Sequence, residues 1–547
     1  MAVLRDAEHE EPVVLIIWRG LLKNWILILP AILVLRFFYY RYSSPLRKYP
    51  GPFLASGSRA WKGEYWHLLS YLPFVGHWRI VFFLPRADPC DLIVLSTYSG
   101  HTETDHIRIH EKYGPVVRIA PNELSFSSPK AARTILAAGS GFHKTPFYAV
   151  FPPPENPDIF TETREDVHAV KKRFASSPYS MATMHTMADV IENVEKDLTC
   201  RLDRICSDTE KREVCDLGNW LHYYAFDVLG EIAFSRRFGF LEAGFDVESA
   251  IKTIDDMQWY DGLVGQIPEW DWVFRRNPLW KLVPGGGEGP QRFLITRMAL
   301  DAIAERKKVG GGKDRKDLLQ RLIEAHEKDP NVFREGDVFA VAHGAIFAGS
   351  DSTASTMQSF SYHVLRDPAI YTKLRKELDD ATQTGQLSEM PQWSEVQALP
   401  YFQACLKEAM RVRPAVGLNI TRLVPPGGAA IEGHHIPGGT QVALNGWVLH
   451  RDQETFGKDA HVYRPERWLE DDAKTMERYM FQFGGGAHLC IGKNLALLEM
   501  NKTLPLLFRD YEFQLLRPNE ELRYHSTFFV VQEGLEVRIS KRVKAAS

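Results

Sequence analysis

Phe483-Gly-Gly-Gly-Ala-His-Leu-Cys490-Ile-Gly492, leading into an apolar-periodic stretch that runs to Arg509, decides how the rest of the chain is read. Glycines accept backbone conformations that a Cβ disfavours, so a flat ligand can approach the main chain closely around Gly484 and Gly486. Cys490 falls at the start of the helix expected over residues 491–509. Free N–H groups and the positive end of the helix dipole favour a thiolate there. Such a thiolate is a soft, electron-rich ligand for iron. The bland alternative is a buried small thiol in a glycine-rich turn, but the spacing Phe-x-x-Gly-x-x-x-Cys-x-Gly is specific.

The remaining cysteines (Cys90, Cys200, Cys206, Cys215 and Cys405) are too few and scattered for a disulfide framework in 547 residues. No Cys-x-x-Cys pair is present, which argues against a structural zinc site. Charge is nearly balanced, 66 basic against 69 acidic residues, so nothing suggests a nucleic-acid binder. Hydrophobic residues at 45% exclude a disordered chain. Thirteen Trp, 20 Tyr and 31 Phe suit a large core or an apolar pocket.

Outward from the cysteine, helical periodicity predicts helices over 216–238, 291–308, 316–327, 336–366, 367–382, 393–411 and 491–509. Asp367-Pro368 marks the break between two of them. Strand-like runs are short, at 115–119, 441–444 and 534–539. The fold class is therefore mainly α with small β-sheets, in one large body over residues 61–547. At the other end, residues 21–40 (LLKNWILILPAILVLRFFYY) match the length of a transmembrane anchor. Residues 1–20 precede it as a lumenal segment, and residues 41–60, with Tyr49-Pro-Gly-Pro52, read as a hinge. Basic residues after the span (Arg41, Arg47, Lys48, Arg59) outnumber those before it (Arg5, Arg19), placing the large body on the cytoplasmic side.

Three further motifs stand upstream of the cysteine: Ala348-Gly-Ser-Asp-Ser-Thr353 inside an apolar helix, Glu408-Ala-Met-Arg411, and Pro465-Glu-Arg-Trp468. Small and hydroxylic residues in mid-helix open a groove and can relay protons beside a carboxylate. Glu-x-x-Arg alone is weak, since Glu520-Glu-Leu-Arg523 matches it too. The paired histidines and neighbours His101, His106, His110, His434 and His435 carry no ligand pattern and read as surface residues.

In this order the motifs resemble the cytochrome P-450 family, the haem-thiolate monooxygenases. Tyr113-Gly-Pro-Val-Val-Arg-Ile-Ala-Pro-Asn-Glu-Leu124 and His450-Arg-Asp452 are most similar to the fungal microsomal, pisatin-demethylase-like group. The resemblance implies the cytochrome P-450 fold and a haem b with Cys490 as axial ligand. Around the cofactor it places Phe483, Gly484, Gly486, His488, Lys172 and Arg422. It makes Glu408, Arg411 and Arg467 a buried structural triad and gives proton delivery to Asp351, Ser352 and Thr353. Phe347, Ala348, Val416 and Leu418 become substrate-lining. Departures are Ser352 where Thr is usual, His488 where Arg is usual, and His168-x-x-x-Lys172 where the family often has Trp-x-x-x-Arg. Implied partners are NADPH–cytochrome P-450 reductase, with cytochrome b5 as a second donor, dioxygen, an apolar secondary metabolite and the endoplasmic-reticulum membrane. An isomerase or dehydratase needing no external electrons, or a haem-binding sensor, are the alternatives.

Overall fold

The protein is described from a computed structural model covering residues 28, 30–57, 96–151, 156–207, 214–279, 294–308 and 316–542. Its longer helices are α1 (Thr102–Tyr113), α2 (Glu165–Ser176), α3 (Ala188–Ser207), α4 (Leu217–Phe234), α5 (Ala250–Val264) and α6 (Leu294–Lys308). They continue as α7 (Leu318–Lys328), α8 (Glu335–Arg366), α9 (Pro368–Gln383), α10 (Pro400–Val412) and α11 (Lys493–Asp510). The strands are β1 (Val116–Ala120), β2 (Glu123–Phe126), β3 (His143–Lys144), β4 (Val214–Asp216), β5 (Ile420–Leu423) and β6 (Ala429–Ile431). The remainder are β7 (His434–Ile436), β8 (Gln441–Leu444), β9 (Tyr511–Leu515), β10 (Arg523–Ser526), β11 (Val530–Glu533) and β12 (Glu536–Lys541).

The expected class holds: helices with small sheets. Local chemistry sets most boundaries. Asp216 and Asp317 cap α4 and α7 through side-chain acceptance of Asn219 and Gln320 N–H. Asp367 both ends α8 and caps α9, accepting from Ala369 and Ile370 with Pro368 at the first turn. The single helix expected over 393–411 is instead two, Trp393–Gln397 and α10, because Pro400 lacks the N–H that continuity needs.

α8 runs through the middle, with most of its side chains buried, and packs along α4. The main sheet has the order β1-β2-β8-β5-β3, with β2 and β8 parallel and the other pairs antiparallel. Its last pair sets Lys144 directly opposite Arg422. β10 and β11 form a hairpin whose turn, Thr527 to Phe529, projects towards α8 and bridges back to Val416.

Residues 30–43 are helical, with Ile32, Leu33, Val34, Leu35, Phe38 and Tyr39 all exposed. Residues 1–20, and 21–27 and 29 of the expected anchor, lie outside the described residues. Among the described residues no helix is long and apolar enough to cross a membrane. The segment expected as a hinge is packed onto the body where it is described. Leu46 and Tyr49 enter the core, and buried Arg118 donates to the carbonyls of Tyr40 (3.0 Å) and Arg41 (3.2 Å). Two of the expected surface histidines are buried as well. His110 bonds the Gly114 carbonyl (2.9 Å) at the end of α1 and Ser125 Oγ (2.8 Å) on β2, and burial pushes its pKa down to about 4.

Candidate functional site

Between α8, α11, the main sheet and the β10–β11 turn lies a large, partly enclosed cavity. Cys490 faces it; the sulfur's exposure is to this interior space. The cysteine sits two residues before Gly492, the N-cap of α11, slightly outside the expected helix start. Its N–H donates to the Phe483 carbonyl (2.8 Å), closing the loop. Burial pushes the thiol above its ordinary pKa, while the N–H groups of Gly492 and Lys493 and the Lys172 cation pull it down. The expected depression is thus present in kind but outweighed, and a metal cation at the sulfur would reverse the balance.

The glycines divide in role. Gly484 lines the cavity with φ +72°, a conformation where a Cβ is strained. Gly486, also at positive φ, does not line it; a Cβ there would strike the Leu136 carbonyl oxygen, so the constraint is the neighbouring chain and not a ligand. Phe483 lines the cavity beside Lys493, whose ammonium lies 5.9 Å from the ring centroid.

One edge of the cavity is crowded with positive groups. Lys144 and Arg422 are cross-strand partners, which for like charges is destabilising without an anion nearby. Lys144 Nζ donates to the carbonyls of Ile159 and Phe160, and its pKa falls to about 7 through burial and the Arg422 charge. Arg422 donates to Tyr148 Oη (2.9 Å) and its neighbour's carbonyl. Lys172 is half-buried and donates to Ala487 and Leu489 carbonyls (2.6 and 2.7 Å), bracing the cysteine loop. Lys171 belongs elsewhere: it turns inward to Asp337 at 3.0 Å.

His168 and His488 complete this edge with ring centroids 4.4 Å apart. Burial and the surrounding cations hold both imidazoles neutral, His168 near 4 and His488 near 2. With Glu165, whose Oε2 lies 3.0 Å from His488 Nε2, they could reach round a metal ion. Three adjacent cations oppose that and favour an anion. His488 Nδ1, buried and with no hydrogen-bond partner among the described residues, is a donor or acceptor still to be used. A cavity with a thiol on its wall and three cations at one edge fits haem, iron to Cys490 and propionates to Lys144, Lys172, Arg422 and the histidines. Lys144 was not foreseen; a lone lysine in an otherwise unremarkable extended segment gives no local signal.

The opposite wall is α8. Phe347, Ala348, Gly349, Ser352 and Thr353 line the cavity, as do Val416 and Leu418 from the segment before β5. Ser352 Oγ donates to the Ala348 carbonyl (2.8 Å) and Thr356 Oγ1 to the Ser352 carbonyl (2.9 Å), bonds that compete with the helix's own and open its groove. Asp351 is not on this face. It is buried on the far side, accepting from His222 Nε2 (2.8 Å) and Gln258 Nε2 (2.9 Å). Two other carboxyls line the cavity unanticipated, Asp158 and, on α11, Glu499; burial and Glu195 raise the pKa of Glu499 well above the usual range. The only sequence signal for Glu499 is a single charge in the apolar run Leu495-Ala-Leu-Leu-Glu-Met500.

Behind the cysteine loop the expected triad is assembled. Glu408 and Arg411 pair through two bonds (2.7 and 2.8 Å), and Arg467 Nε joins Glu408 at 2.9 Å, all three fully buried. Trp468 Nε1 and the Arg464 N–H also donate to Glu408. Arg411 reaches on to the carbonyls of His450 and Val462, tying α10 to the segment before the cysteine.

Comparison with known proteins agrees. The family model for cytochrome P-450 matches residues 89–537. Cytochrome P-450 monooxygenase cicH of Emericella nidulans is 36% identical over 81% of this chain and 90% of its own length. Cytochrome P-450 monooxygenase gsfF of Penicillium aethiopicum is 34% identical over 93% of this chain and 96% of its own. A third, mfmA of Annulohypoxylon moriforme, is 35% identical over 80% and 87%. With the thiol, the cationic edge and the buried Glu–Arg–Arg triad in place, the chain belongs to the cytochrome P-450 family and is a haem-thiolate monooxygenase.

Proposed function

We propose that this enzyme oxidises an apolar secondary metabolite of a fungus at the endoplasmic-reticulum membrane, with electrons from NADPH delivered by cytochrome P-450 reductase. The observation that carries this reading is the polarity of the cavity. The cations and Cys490 occupy one part, and the wall above is aromatic and aliphatic: Phe347, Val416, Leu418, Phe528 and Phe529. Such a wall binds apolar surface and offers few groups to orient a charged substrate. The fungal relatives named above, all monooxygenases, support the class. The pisatin-demethylase-like motifs support a microsomal enzyme.

Bound in the cavity, haem b supplies the activation of dioxygen and its insertion into the substrate. The chain's own work is different. Cys490 offers the thiolate, and Lys144, Lys172 and Arg422 neutralise the propionates, removing the like-charge opposition of the strand pair. The phenylalanine rings exclude water and press the substrate towards the α8 groove. Ser352 and Thr353 hold hydroxyl protons at that groove, and Asp351 restores them from the far side of the helix. The isomerase alternative needs no such acid and hydroxyls.

The exposed apolar helix over residues 30–43 supports membrane attachment through the N-terminus, with the body cytoplasmic. Deleting residues 1–40 then releases the protein at least in part; a truncation wholly retained on membranes rules out this segment as the sole anchor. The substrate is identified by mass spectrometry of metabolites accumulating in a strain lacking the gene. Return of the missing product on adding enzyme, reductase and NADPH supports the proposal. Conversion without NADPH overturns it in favour of the isomerase.

A further inference from the structure

Gln258 on α5 joins two parts of the site that sequence keeps far apart. Its side chain is fully buried. Its Oε1 accepts the Phe529 backbone N–H at 2.8 Å, and a backbone N–H can only donate. The amide is therefore fixed in one orientation, and the Nε2 end must donate to Asp351 Oδ2. The other Asp351 oxygen is taken by His222 Nε2. Both oxygens point away from the cavity that the neighbouring Ser352 and Thr353 line. To restore a proton to those hydroxyls, the carboxylate has to leave the Gln258 amide. That amide is anchored to the β10–β11 turn, where the Phe528 and Phe529 rings form the cavity wall opposite Phe347.

The geometry points to Gln258 as a positioning residue, a latch that holds Asp351 away from the cavity until substrate displaces the Phe528–Phe529 turn. This rests on the proposed proton role of Asp351. The consequence is chemical economy: without substrate, early proton delivery converts dioxygen to hydrogen peroxide. In balance, O2, NADPH and H+ give H2O2 and NADP+, the two electrons passing from NADPH through the reductase. A latch released by substrate suppresses that leak. Titratable groups facing the amide and its partners are Asp351 on α8, His222 on α4, and Asp255 of α5 with its partner His525 on β10.

Two substitutions separate the two ends of the latch. Gln258→Leu removes both bonds. Gln258→Glu keeps the acceptor for Phe529 N–H and replaces the donor to Asp351 with a like charge. Haem-loaded protein with reductase and NADPH, and no substrate, is assayed for peroxide. Amide hydrogen exchange of the 524–533 segment is followed in parallel. The latch predicts peroxide release raised about ten-fold in both variants. It predicts faster exchange at Phe529 in Gln258→Leu only. The Gln258→Glu leak should also shrink on acidification, as a proton shared with Asp351 restores a donor. Peroxide release at or below the wild-type level in a haem-loaded Gln258→Glu overturns the latch. So does a leak that appears only where Phe529 exchange is also fast, which would mean simple loosening of the wall. Asp351→Asn, run alongside, tells the two readings apart: if it changes neither peroxide release nor NADPH consumption, the proton role of Asp351 fails and the latch with it. An effect of Asp351→Asn beside wild-type behaviour of both Gln258 variants sinks the latch alone.

Discussion

Glu408 and Asp351 are both buried carboxylates on helices beside one cavity, yet their surroundings differ in kind. Glu408 accepts five N–H groups, from Arg411 twice, Arg467, Trp468 and the Arg464 backbone, and two of those partners are guanidinium cations. Asp351 accepts two, from an imidazole and an amide. A carboxylate saturated by fixed charges has no lone pair to spare and one conformation. A carboxylate held by two side chains can exchange a partner at small cost and move. The first environment builds a scaffold, and the second suits the proton role proposed for Asp351. Burial alone does not separate the two.

The comparison breaks most visibly at Glu408. Replacing it with alanine strands Arg411 as an uncompensated buried cation and leaves Arg467 with Asp459 as its one carboxylate among the described residues, a loss of about 3–5 kcal/mol. Chemical denaturation of the purified protein should show that loss together with failure to retain haem. A Glu408→Ala variant as stable as wild type would mean the guanidinium groups are satisfied by the Asp459 carboxylate and the surrounding carbonyls, His450, Ala460 and Val462 among them. At Asp351 the order of effects reverses. Asp351→Asn keeps shape and an acceptor, so stability should fall by only about 1 kcal/mol. Reductase-supported NADPH consumption should nevertheless drop about 10²-fold, the scale of a lost general acid.

The two sites also differ in how far sequence exposed them. The triad and Cys490 were legible because each motif places its residues within one helix turn or one loop, and Pro-Glu-Arg supplies the one distant partner in a rigid local frame. Asp351 was legible as a residue but not as an arrangement. Its partners His222 and Gln258 come from helices separated by about a hundred residues, and neither sits in a pattern of its own. The cationic edge behaves likewise. Lys172 and Arg422 follow from motif position, whereas Lys144 is defined only by the strand pairing that sets it opposite Arg422. The strands of residues 511–533 escaped for the same reason, since hairpin partners decide them more than their own apolar alternation. His110 was misplaced because a helix surface and a helix–sheet junction look the same in one dimension.

Acid should separate the scaffold from the rest of the chain. His450 lies against Arg411, and its Nε2 accepts the Phe481 N–H at 2.8 Å, so the folded state needs the neutral ring. Burial first, and then the Arg411 charge, push its pKa down to about 3. The unfolded chain binds that proton near 6.5, the folded one near 3. Stability from this group is therefore complete above pH 6.5 and declines as pH falls towards 3, by up to about 1.4 kcal/mol per unit. His110 and His343, both near 4, add in the same direction. Urea denaturation of wild type and His450→Gln at pH 7, 6 and 5 checks the sign: the variant should lose less on acidification. Equal slopes would place the acid sensitivity elsewhere.

The smallest expected effect bears on Ser352. Its hydroxyl already donates to the Ala348 carbonyl within its own helix, so its remaining capacity towards the cavity is as an acceptor. To pass a proton on, the hydroxyl must swing off that carbonyl or accept one proton while releasing another. Removing it in Ser352→Ala costs little stability, because the helix regains an undistracted backbone bond at that turn. The substitution should raise the ratio of peroxide to product a few-fold, with substrate affinity nearly unchanged. Thr353, buried and also at the cavity, is the hydroxyl able to take over. A Ser352→Ala/Thr353→Val double variant therefore distinguishes a shared relay from a single one. If the double variant exceeds the product of the two single effects, the hydroxyls substitute for each other; if it equals Thr353→Val alone, Ser352 shapes the groove and carries no proton.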